Sequence, residues 1–198
     1  MLLDSIEKYA SVYDCDLEHS QNVRSLAIQL FDVSPKLHGL GETERRLLGT
    51  AALLHDIGWE YGQSRHHKNS ARMILENPPN WLTERELLIV ANIARYHRKA
   101  LPAISHVDYA RLPSADRETV DKLAALLRIA DGLDVTHDAR VSIENFAFSK
   151  QSARLRLSCA GEPSPNIDSA MKKADLFERV FQRRLLIEPG RVRRGCSP

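Results

Sequence analysis

The segment Leu53-Leu54-His55-Asp56-Ile57-Gly58 constrains the chain more than any other. It sets an imidazole and a carboxylate at the end of an apolar helical run. Leu48 and Ala51 precede His55 by seven and four residues and share its face, and Ala52 stands in the same relation to Asp56. Both polar groups therefore adjoin core positions. A carboxylate taken out of water there needs a counter-charge or a bound cation, because burying it bare is very costly. The arrangement recurs. His19 shares a face with Val23, Leu26 and Leu30, and His67 with Ala71 and Ile74. His97 follows Ile93 and Val90, and Asp131 follows Leu127 and Ala124, at the same spacings. One histidine on an apolar stripe is most simply a hydrogen-bonded core residue. Five stripes that each carry a His or Asp point instead to a shared ion. Mixed imidazole and carboxylate donors suit Mn, Fe, Co, Ni or Zn better than calcium.

Helical periodicity dominates the first two thirds of the chain. Helices are predicted from about Asp16 to Phe31, from Glu42 to His55, and from near His67 to the Asn77-Pro78-Pro79 stop. Thr83 to Glu86 reads as a capping box opening a fourth helix through His97. Ser114 opens a fifth, ending near Asp131. Ser34, Pro35 and Gly39 read as loop. After Asp134 the texture changes. Val141 to Phe148 is rich in β-branched and aromatic residues. Ala153, Leu155, Leu157 and Cys159 alternate with polar residues as a strand requires. Ile167, Ala170, Met171, Ala174, Phe177 and Phe181 step at helical spacing, and Leu185 to Ile187 suits a last strand. The predicted fold is mainly α. A helical bundle spans residues 1–138, a small β-β-α-β subdomain spans 139–190, and a loose basic tail spans 191–198.

Composition narrows the function classes. With 43% hydrophobic and 27% charged residues, the 198-residue chain can fill a sizeable core. A net charge of +2 argues against nucleic acid as the main partner, and the arginines at 191, 193 and 194 suit a free tail better than a binding patch. Met1 to Ala10 lacks the apolar run of a signal peptide, and no stretch is apolar enough to span a membrane. Cys15, Cys159 and Cys196 form no CxxC pair, so neither a disulfide framework nor a thiolate zinc site is expected, and a reducing cytoplasm is the default.

A histidine, then His-Asp, then a distant Asp resembles the signature of the HD metal-dependent phosphohydrolase superfamily, with His19, His55-Asp56 and Asp131 in order. His67 and His97 match the two extra ligands of members with a two-metal centre, where Asp56 would be the bridging carboxylate. A closer likeness covers nearly the whole chain. Leu37-His-Gly-Leu, Ala51-Ala-Leu-Leu-His-Asp-Ile-Gly, His66-His-Lys-Asn-Ser-Ala, Ala94-Arg-Tyr-His-Arg-Lys-Ala-Leu-Pro and Leu127-Arg-Ile-Ala-Asp-Gly-Leu-Asp resemble the C-terminal HD region of the Ppx/GppA exopolyphosphatases. Enzymes of that family act on polyphosphate and guanosine pentaphosphate through an N-terminal actin-like domain. This sequence contains neither that domain nor a Gly-rich phosphate loop, so that mechanism is not expected of it. The family often has a histidine where this chain has Asn69.

The resemblance implies a domain holding one or two divalent ions (Mn, Fe, Mg, Co, Ni or Zn) on His19, His55, Asp56, His67, His97 and Asp131. Of the adjacent His66 and His67, the stripe continued by Ala71 and Ile74 favours His67. The implied activity is hydrolysis of a phosphate ester or anhydride by a metal-activated water, with Asp56 as the catalytic residue and a nucleotide or polyphosphate as substrate. Arg65, Lys68, Arg98 and Lys99 flank the ligands and could hold the substrate's phosphate, although a solvated polar face explains them equally well. Trp59 and Tyr61 could stack on a base or simply pack their loop. The rival expectation is a non-catalytic module that binds polyphosphate, a guanosine alarmone or a partner protein. A homodimer through the bundle or the sheet is conceivable on either view.

Overall fold

The computed structural model describes residues 2–13 and 16–190. Helix α1 (Leu2–Tyr13) buries Ile6 and Ala10 and packs on α4 (Glu42–Leu54). α1 is not among the predicted helices; among its described side chains Tyr9 and Tyr13 also pack against the core. Helix α2 (Leu17–Val33) starts where Asp16 accepts a hydrogen bond from the His19 amide (3.2 Å), which satisfies one of the free N–H groups of its first turn. Its buried stripe contains the predicted Val23, Leu26 and Leu30, with Ala27 beside them. The segment expected as loop holds one helical turn, α3 (Pro35–His38). Pro35 arrives with φ preset for a first helical position, and Gly39 closes the turn at φ 66°.

The remaining body helices are α5 (His66–Glu76), α6 (Glu84–Arg95), the short α7 (Val107–Ala110) and the long α8 (Ser114–Leu133). The predicted capping box opens α6: Thr83 N–H donates to Glu86 Oε2 (2.9 Å) and Glu86 N–H to Thr83 Oγ1 (3.3 Å). Helices α2, α4, α6 and α8 pack against one another, and α5 lies on α6.

Strands β1 (Val141–Phe148) and β2 (Ser152–Cys159) pair antiparallel, and β3 (Arg184–Pro189) lies parallel to β2 on its far side. Ala153, Leu155 and Leu157 face the core, as their alternation predicts. The parallel crossover from β2 to β3 runs through two helices, α9 (Ser164–Lys172) and α10 (Asp175–Phe181), where one was expected. The break falls at Lys173, whose carbonyl accepts a hydrogen bond from Arg128 Nε (3.2 Å). The tail is therefore β-β-α-α-β. A Cβ on Gly132 would lie 2.5 Å from Ala170 Cα, so glycine is what lets α9 seat so closely on the end of α8. Buried side chains of the helices and the sheet form one continuous cluster.

The chain is thus mainly helical with a small three-stranded sheet. No described helix is long and apolar enough to cross a membrane. Cys159 is a free thiol, while Cys15, Cys196 and the basic tail lie outside the described residues.

Candidate metal centre

Each proposed donor sits at or near the end of a helix, and local bonding aims it inward. His55 caps α4, and its Nδ1–H donates to the Ala52 carbonyl (2.7 Å). His97 lies just past α6, and its Nδ1–H donates to the Ala94 carbonyl in the same way (2.8 Å). A ring nitrogen that faces a carbonyl must carry the proton, so each Nε2 keeps its lone pair. His19, in the first turn of α2, has Nδ1 2.8 Å from Asp134 Oδ2, one turn beyond its other neighbour Asp131. Such outer partners hold ligating imidazoles in orientation. Asp56 occupies the turn after α4. That turn docks onto α5 through Gly58, whose N–H donates to Ser70 Oγ (2.9 Å) and whose absent side chain would overlap the backbone of Asn69 and Ser70.

These groups converge. His19 Nε2 and His55 Nε2 lie 3.7 and 3.9 Å from Asp131 Oδ1. His55 Nε2 is 3.6 Å from Asp56 Oδ2. The other Asp56 oxygen, Oδ1, lies 3.2 Å from His66 Nε2 and 3.6 Å from His97 Nε2. Two sets, His19 with His55 and Asp131, and His55 with Asp56 and His97, each bring one donor atom per residue within 4.8 Å of the others. Every member is buried. His55 Nε2 and Asp56 Oδ1 are also without a hydrogen-bond partner, a costly condition for buried polar atoms unless something else is bound there. The donor set and these orphaned atoms fit a divalent cation.

The electrostatics of His66 and His97 agree with that fit, whereas His19 must give up a proton to ligate. Burial lowers the pKa of His66, and that of His97 well below the ordinary imidazole value, so both rings are neutral donors near neutral pH. Burial also opposes the charged form of His19, but Asp131 and Asp134 outweigh it and push its pKa up to about 10. At Asp131 burial works upward, and is overcome by the Lys173 ammonium and the His19 hydrogen bond, which hold the carboxyl well below the usual carboxylate range.

Four of the residues singled out by the apolar stripes, His19, His55, His97 and Asp131, meet here, together with Asp56. At the fifth helix position the geometry favours the neighbour of the expected residue. His66, rather than the favoured His67, faces Asp56 and stacks on His97, with ring centroids 5.1 Å apart. The His67 ring stands edge-on, 6.3 Å from His97, and burial with nearby cations lowers its pKa to about 4. Both histidines are 3% exposed, so burial does not separate them; direction does. Asn69 donates to the Tyr61 carbonyl (3.0 Å), away from the centre.

A cleft of about 280 Å³ opens onto the centre, and Trp59, Arg98, Val135, His137, Ser169 and Lys173 are among its walls. Of the four basic residues expected to touch substrate, Arg98 lines this cleft. Arg65 and Lys68 are exposed elsewhere, and Lys99 donates to the Ser64 carbonyl (2.5 Å). Trp59 lies flat over His66 (5.6 Å, 12°), whereas Tyr61 is exposed beneath Arg72. Three further residues belong to the site: Asp134, Lys173 and His137. The last stacks on His19 (3.9 Å, 5°) and binds Asp16 through Nδ1 (2.6 Å). Asp134 shares an apolar helix end with Asp131, a detectable signal. Lys173 comes from a different element, and no spacing rule could have found it. A larger cavity of about 360 Å³, with Ile6, Arg24 and Thr50 in its walls, contains none of the donors.

The family model of Ppx/GppA phosphatase, domain III, matches residues 3–178. The chain belongs to this family. The matched span takes in every donor of the centre, from His19 to Asp131. Lys173 falls inside it as well, so the candidate metal-site residues and the cation on the cleft wall all lie within the matched span.

Proposed function

We propose that this domain is a metal-dependent phosphohydrolase that cleaves a phosphate ester or anhydride of the nucleotide or polyphosphate kind. The observation that carries the reading is the pair of orphaned buried atoms, His55 Nε2 and Asp56 Oδ1, inside a ring of other donors. His19, His55, Asp56 and Asp131 would hold one ion. His66 and His97 would hold a second, with Asp56 shared. A divalent ion in such a place supplies a nucleophile by lowering the pKa of water toward neutrality, and offsets charge on the phosphoryl oxygens. The chain's own residues do the rest. The Ala52 and Ala94 carbonyls keep the His55 and His97 rings in the donating tautomer. Asp56 fixes the spacing of the two donor groups. Arg98, at the cleft wall, offers a planar fork for phosphate oxygens. The family's phosphatase description supports the substrate class.

The test combines elemental analysis of the purified protein with a panel of phosphomonoesters, phosphodiesters and nucleotides in the presence of Mn²⁺. The wild type is expected to carry stoichiometric metal and to turn over at least one substrate. Asp56→Asn is expected to lose both together. Full metal content and full hydrolysis in that variant would refute the mechanism. Metal-loaded wild type that turns over none of the panel is a binding module instead.

A further inference from the structure

Lys173 ends the first of the two crossover helices and sends its ammonium into the cleft, onto Asp131 Oδ2. Asp131 presents its other oxygen, Oδ1, to His19 and His55. In the structure Lys173 is the counter-charge of the buried Asp131. With an ion on Asp131 the ammonium adds repulsion, and an anion entering the cleft gives it a partner. Arg98 lines the same cleft with Nη1 3.3 Å from His66 Nε2, and it has no carboxylate partner among the described residues. Both cations are set by one buried side chain. Arg128 donates through Nε to the Lys173 carbonyl (3.2 Å), and through Nη1 to the carbonyls of Tyr96 (3.2 Å) and Lys99 (3.4 Å), which flank His97 and Arg98. Its Nη2 is tied to Asp175 (2.7 Å), the first residue of the next helix. A fully engaged guanidinium, 3% exposed, thus fixes the two turns that deliver Lys173 and Arg98 to one opening.

Resting on the metal-centre reading above, we propose that Lys173 and Arg98 form a phosphate grip that selects terminal, dianionic phosphoryl groups, with Lys173 transferring from Asp131 Oδ2 to the ligand as it enters. Two cations over a centre of divalent ions favour a dianionic monoester over a monoanionic diester. The cleft, at about 280 Å³, is just under the roughly 300–1,000 Å³ of ordinary ligand pockets, and suits a phosphoryl head more than a buried nucleoside.

Calorimetric titration of Mn²⁺-loaded protein with inorganic phosphate, and with dimethyl phosphate as the monoanionic comparison, tests the grip. Wild type is expected to bind phosphate more tightly than dimethyl phosphate. Lys173→Met and Lys173→Gln both keep the stem and remove the charge. Each is expected to weaken phosphate binding by about tenfold or more, and to bind Mn²⁺ as tightly as wild type or more so. Variants that bind phosphate like wild type overturn the proposal. Variants that lose Mn²⁺ overturn it too, and make Lys173 a positioning residue for Asp131. Wild type that takes up Mn²⁺ but shows no preference for phosphate overturns the grip alone. Wild type that takes up no Mn²⁺ overturns the metal centre, and the grip with it.

Discussion

The two oxygens of Asp56 face different neighbours, Oδ2 toward His55 and Oδ1 toward His66 and His97, and that division carries a test at the level of single side chains. His66→Gln removes a donor on the Oδ1 side. It is expected to lower the number of Mn²⁺ ions bound per chain from two to one, read by equilibrium dialysis. His67→Gln is expected to keep both, since its ring stands clear of Asp56. The reverse result would return the ligand role to His67. The sequence could not decide between these neighbours, for a definite reason. Helix α5 buries two adjoining stripes, His66 with Ser70 and Met73, and His67 with Ala71 and Ile74. A rule that looks for an apolar face prefers the second, because Ser70 is polar. Ser70 is buried because Gly58 docks on it, a contact between distant segments that no periodicity encodes.

Among elements, the seam between α8 and α9 matters most, because it brings the crossover helices to the end of the helix that carries Asp131. Gly132 and Ala170 meet there with no room for a methyl group. Gly132→Ala is expected to cost about 1–3 kcal/mol, the usual penalty of overpacking, measured as a lower urea midpoint at unchanged m-value. No loss of stability would mean that the seam can open without strain. The helices and strands that position the donors were largely legible, because α2 and β2 bury positions that follow their periods, while α4, α6 and α8 carry long, largely apolar runs that are buried throughout at 47–54, 89–94 and 123–133. The illegible part depends on a remote partner. The run from Ile167 to Phe181 keeps one helical period across a break imposed at Lys173 by Arg128, which lies 45 residues earlier. The spacing of apolar residues cannot register a guanidinium arriving from another helix.

For the whole molecule, the centre joins α2, α4, α5, α6 and α8 at their ends, and an ion there binds only the folded arrangement. Mass action then stabilises the fold. At a free metal concentration about 100 times Kd the gain is about 2.7 kcal/mol. Exhaustive chelation is therefore expected to lower the unfolding midpoint by several degrees in a thermal melt, and re-addition of Mn²⁺ to restore it. Coincident melts with and without chelator would show that no ion binds the native state. The dispersion of the donors has a bearing on how the protein is made. His19 leaves the ribosome more than a hundred residues before Asp131, so a growing chain presents isolated histidines before it offers a closed set. An ion that needs the whole set would therefore be captured only after the last body helix has emerged, and a translation product interrupted before that helix would compete poorly for it.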